Sequence, residues 1–96
     1  MLHKVEIGGF TYKLRYKTWR GGSEFGHCDT SNSSIVIHKT PSKELNRVTL
    51  WHELIHATLH SLDLECWHDE QIVDRLAQCI VQILKQGVDK IVDKME

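Results

Sequence analysis

The sequence has little proline, no long apolar run, no paired cysteines and no large excess of charge of either sign. Each absence excludes something. The uninterrupted apolar stretches are only a few residues long, far short of the ~20 that a membrane-spanning helix needs. The opening "MLHKVEIGGF" shows no signal-peptide pattern. Cys28, Cys66 and Cys79 are an odd number and form no CxxC pair, so reduced thiols in a cytoplasm are expected. A net charge of −1 excludes the strongly basic footprint of a dedicated nucleic-acid binder. No repeat or low-complexity linker divides the chain. Neither nucleic acid nor membrane is expected as a partner, and the oligomeric state is not legible.

What is present is ordinary globular composition: 96 residues, 41% hydrophobic and 26% charged, enough for one domain over residues 1–96 with one modest core. The charge is uneven. Residues 1–50 hold eight Lys/Arg and four Asp/Glu, net +4; residues 51–96 hold four and nine, net −5. The basic residues alternate along a candidate strand instead of forming a block, which points to attraction between the two halves of the fold.

The first forty residues read as strands and loops. Val5 and Ile7, then Phe10, Tyr12, Leu14 and Tyr16, alternate with polar residues on either side of Gly8-Gly9, the pattern of a hairpin. "FGHCD" and "SIVIHK" are further short strands around a "TSNS" turn. Residues 41–62 read as a helix: Thr40 is a candidate N-cap, Pro41 suits a first helical position, and Leu45, Val48, His52, Ile55, His56 and Leu59 recur at helical spacing. Trp51 is expected against the sheet. Asp69 can cap a second helix over 69–86, and 88–95 continue as a short helix or frayed tail. The expected fold is α+β, a three- to four-stranded, mostly antiparallel sheet packed on two main helices.

Chemistry concentrates in "VTLWHELIHATLH", where His52-Glu53-Leu54-Ile55-His56 is an HExxH pattern. Residues at i and i+4 stack on one helix face, so both imidazoles can converge on one zinc ion at about 2.0–2.1 Å. Glu53 lies about 100° round the helix. It can serve as general base towards a water whose pKa the metal lowers. A catalytic site needs a third protein ligand and one open position. His60 lies about 12 Å along the axis from His52, too far for one ion. Asp63 and Glu65 would require the chain to double back sharply. Leu59 and Leu62 stand where HExxHxxGxxH demands Gly and His. Glu70 opens the second helix and is the preferred ligand, with Asp74 one turn on to accept the free ring N–H of His52. The donor for a tetrahedral oxyanion is not legible among His27, His68 and Tyr16, and Cys28 beside His27 is a minor second metal candidate.

HExxH on one helix and "EQIVD" on the next resemble the gluzincins, the thermolysin-like zinc peptidases. "SIVIH", "VTLWHELIHATLH" and "DEQIVDRLAQCIVQIL" together resemble the short ImmA/IrrE-type peptidases of phages and mobile elements, over residues 34–84. The resemblance implies a minimal zincin-like domain and one Zn2+ on His52, His56 and Glu70. It implies Glu53 as catalytic base, and a protein or peptide substrate in the cytoplasm of a bacterial host. The acidic-Ala-Asn segment of larger members is replaced here by Ile72-Val73-Asp74. In a peptidase, Ile35, Val36 and Ile37 would form an edge strand pairing with extended substrate. The alternative is a non-catalytic module in which zinc stabilises a protein-binding domain.

Overall fold

A computed structural model describes residues 2–95. The elements run β1 (Leu2–Ile7), β2 (Phe10–Thr18), β3 (Gly26–Asp29), β4 (Ser34–Lys39), α1 (Lys43–Ser61), a 3-10 turn (Glu65–His68), α2 (Glu70–Lys85) and α3 (Asp89–Asp93). The class is the expected α+β, with four strands and two main helices.

The β1–β2 hairpin closes where Gly8 and Gly9 both take positive φ, +56° and +88°. Such a two-residue turn matches the twist of its strands. The register then places Ile7 opposite Phe10 and Val5 opposite Tyr12. β2 pairs in parallel with β4, Leu14 against Ile35 and Tyr16 against Ile37, and β3 closes antiparallel on the far side of β4. Two of the three pairings are thus antiparallel, and the strand order is β1-β2-β4-β3. The β3–β4 turn is tied by Asp29, whose carboxylate accepts from the backbone and side chains of Ser31 and Asn32 and is held below the usual carboxylate range by those bonds.

The strand order corrects one expectation. Ile35, Val36 and Ile37 do not form an edge: β4 is interior, paired on both sides, and Ile35 and Ile37 are buried in the core. Along β4 the burial alternates, Ile35 and Ile37 facing α1 while Val36 and His38 on the other face are half-buried. The free edge on that side belongs to β3, whose weaker pattern reflects its half-buried position.

α1 lies between the sheet and α2, which explains why its apolar residues are not confined to one stripe. Ala57, Leu50 and Leu54 pack on Ile7, Tyr12, Ile35 and Ile37 of the sheet. Ile55, Val48 and Leu59 pack on Val73, Ala77 and Ile80 of α2. Trp51 joins this second cluster, not the sheet as expected, because it sits one position before His52 on the α2-facing side of α1. The start of α1 also differs from expectation. Ser42, not Thr40, is the N-cap, its hydroxyl accepting from Leu45 N–H at 3.1 Å. Thr40 is buried instead and exchanges hydrogen bonds with Asn46, clamping the β4–α1 junction.

Candidate metal centre

His52 and His56 stand one turn apart on α1, at its junction with the first turn of α2. Their Nε2 atoms are 3.1 Å apart. Glu70 reaches across from α2, its Oε2 at 2.7 Å from His52 Nε2 and its Oε1 at 3.0 Å from His56 Nε2. Asp69 delivers Glu70 to this position: it caps α2, accepting from the N–H groups of Gln71 and Ile72 at 3.1 Å each. Asp69→Ala is therefore expected to cost about 1 kcal/mol in urea unfolding and to weaken metal retention by loosening the turn that holds Glu70. Asp69→Asn should restore both.

The orientation of the His56 ring is set from behind. His56 Nδ1 meets the backbone carbonyl of Trp67, which can only accept, so Nδ1 carries the proton and Nε2 presents a lone pair. His52 Nδ1 lies 3.6 Å from Asp74 Oδ1, on the expected side of the ring but beyond hydrogen-bond distance, so the expected N–H···O bond is not made. Asp74 also accepts from Gln78 at 2.9 Å. The His56 lone pair and the Glu70 carboxylate thus face each other at 3.0 Å as two acceptors, with His52 Nε2 within 3.1 Å of both. A shared cation resolves that conflict. Ligands at about 2.0–2.1 Å from a tetrahedral zinc lie roughly 3.3 Å apart, close to the 3.1 Å between the two Nε2 atoms. Among the described residues His52, His56 and Glu70 form the one cluster of this kind.

Glu53 points from the same helix turn towards β3. It is 94% buried, the complement of its 6% exposure. Burial pushes its carboxyl up to about 7; the neighbouring His52 opposes the rise, and Glu70 and Glu24 add to it. Gly26 of β3 comes so close that an added Cβ would lie 3.3 Å from Glu53 Oε2 and 2.8 Å from the Val36 carbonyl. Glu53, His52, Glu70 and Asp74 open on a cavity of about 410 Å³, closed on the other side by Glu24, Phe25 and Gly26.

The other sequence candidates are elsewhere. The His60 ring packs edge-on against Trp67 at 4.9 Å, and His68 stacks on the same indole. Asp63 and Glu65 fall in the connector after α1, outside the ligand cluster. Tyr16 lines a separate groove with Leu14, Ile37 and Leu50. Cys28 and His27 cannot share an ion, since adjacent strand residues point to opposite faces. Cys28 packs on the core, where burial first and the charge of Glu53 second raise its thiol to about 12, while His27 turns outward to Glu24 at 3.3 Å. Sequence reasoning did not find the Trp67 carbonyl, Glu24 or Gly26. The first is a backbone group, and the other two act through the position of β3, so none carried a spacing signal.

No protein family, curated protein or solved structure matches this chain. The fold and the geometry of the centre are what a functional reading rests on.

Proposed function

We propose that this protein is a zinc-dependent endopeptidase of the gluzincin type, with His52, His56 and Glu70 as metal ligands and Glu53 as general base. The observation that carries this reading is the pairing of a converged ligand triad with a buried carboxylate beside it. A site that only held the fold together would need the triad and gain nothing from Glu53. A bound zinc ion would supply Lewis-acid polarisation of the scissile carbonyl and acidify the attacking water. Glu53 takes that water's proton on a carboxylate oxygen and returns it to the leaving amine. Burial raises its carboxyl above the ordinary carboxylate range, in the direction that favours proton uptake. The Trp67 carbonyl holds His56 in the tautomer that leaves its Nε2 free.

The substrate in this reading is an extended peptide or protein segment laid along β3, not β4. β3 ends the sheet next to Glu53, so its outer edge offers unpaired backbone groups beside the proposed base. No helix among the described residues is long and apolar enough to cross a membrane, and the three cysteines are free thiols. Both support a cytoplasmic setting, a bacterial host carrying a mobile element being the one that the resemblance implies.

Elemental analysis of the wild type and Glu70→Ala, side by side with hydrolysis of an unfolded protein such as denatured casein, tests the reading. One zinc per chain, weakened retention in the variant, and hydrolysis that a chelator stops and zinc restores are expected. A wild type that binds no zinc even after refolding with the metal would overturn it.

A further inference from the structure

The cavity at the candidate metal centre has walls of two kinds. One is apolar: Phe25, from the loop before β3, with Leu45 and Val48 of α1. The Phe25 ring is stacked on Trp19, 5.6 Å between centroids. The other is acidic: Glu24 on the loop, Glu53 on α1 and Asp74 on α2. No Lys or Arg is among the residues that line the cavity. A divalent ion on His52, His56 and Glu70 would carry one positive charge beyond Glu70, against those three carboxylates, so the cavity stays net negative.

These carboxylates are not spent on the fold. Glu53, nine-tenths buried, opens on the cavity and has no hydrogen-bond partner among the described residues. Glu24 meets His27 at 3.3 Å, and Asp74 meets His52 and Gln78. Glu24 projects from anchored backbone: the His38 ring donates from Nδ1 to the Glu24 carbonyl at 2.9 Å, and the His38 backbone N–H donates to the Phe25 carbonyl at 2.8 Å. The negative field reaches the base, since Glu70 and Glu24 both add to the rise of the Glu53 carboxyl.

We propose that this cavity selects a lysine or arginine side chain of the peptide bound at the centre, with Glu24 and Asp74 as the specificity-determining carboxylates. The inference rests on the peptidase reading for what lies at the centre, and adds the class of side chain. A long basic residue matches both walls: its methylene stem lies on Phe25, Leu45 and Val48 while its charged head reaches the carboxylates. The Phe25 face adds a cation–π contact. An acidic side chain meets like charge, and an aliphatic one desolvates carboxylates without pairing them. Glu24 and Asp74 are well exposed, so water holds each pair to roughly two- to fivefold in binding.

Capped alanine hexapeptides carrying one arginine, norleucine or glutamate, titrated by NMR into the Glu53→Gln protein, test this without cleavage. The arginine peptide should bind roughly fivefold more tightly than the norleucine peptide, and the glutamate peptide more weakly than either. These differences should shrink between about 0.02 and 0.5 M salt. Adding Glu24→Lys, at an exposed side chain outside the metal triad, should cancel the arginine advantage and favour the glutamate peptide. In parallel, denatured casein cut by the wild type should show Lys or Arg beside the cleaved bonds by mass spectrometry. Arginine and norleucine peptides that bind equally, or that both fail to bind, would overturn the proposal, as would an order that Glu24→Lys leaves unmoved. Cleavage with no basic residue enriched beside the cut would overturn it and leave the peptidase reading standing. An arginine preference in binding with no cleavage by the wild type would do the reverse, keeping the selectivity of the cavity and removing the peptidase.

Discussion

Glu53→Gln is expected to keep one zinc per chain and to lose hydrolysis by roughly 10²–10⁴-fold, the usual contribution of a positioned general acid–base group. The substitution is close to isosteric, so Gly26, Thr49 and the β3 backbone near Glu53 are not displaced. The proposed ligands are untouched: His52, His56 and Glu70 contact one another, and His56 is held from behind by the Trp67 carbonyl. What the amide cannot do is accept a proton. Glu70→Ala differs in kind, removing metal and hydrolysis together. The pair of variants therefore separates the base from the ligands by metal content alone. An active Glu53→Gln enzyme would remove Glu53 from the chemistry, and zinc loss in that variant would mean that Glu53 is itself a ligand.

The parts of this molecule that depend on local chain chemistry were legible in the sequence. Two adjacent glycines between alternating strands gave the hairpin, HExxH gave the i, i+4 pair, and Asp69 before an apolar helical period gave the start of α2 and so the place of Glu70. What failed depended on which segments meet. The apolar run of β4 does not tell an edge from an interior strand, because strand order follows from pairing with β2, a contact between residues about 20 apart. The edge next to the candidate metal centre is β3, only four residues long. Trp51 was assigned to the wrong layer because α1 has two buried faces and the apolar period does not say which neighbour covers each. The cap of α1 was misplaced by two residues because Thr40 and Ser42 carry the same chemistry. Only the fold shows that Asn46 engages the first. The Trp67 carbonyl, which fixes the His56 tautomer, belongs to the backbone of a 3-10 turn and has no residue-type signature.

In the metal-free protein, Glu53→Gln is expected to raise stability at pH 8 by on the order of 3 kcal/mol relative to its effect at pH 4. Burial raises the folded carboxyl from 4.5 to about 7. The sign follows from which state releases its proton first. Below about 4.5 both folded and unfolded chains are protonated at this position, and Glu53 adds no pH dependence. Between 4.5 and about 7 the unfolded chain ionises while the folded one holds its proton, so the unfolded state gains. Above about 7 both are ionised, and the folded state carries the full cost of a desolvated charge. Glutamine removes that slope. The difference between the two unfolding curves, measured by urea titration at a series of pH values in the presence of a chelator, isolates the contribution of Glu53. Curves that stay parallel from pH 4 to pH 8 would show that the carboxylate is solvated in the folded protein. A widening gap would show a chain that keeps a buried charge at a loss of stability. A small domain tolerates such a loss where the group has a task that the neutral isostere cannot perform.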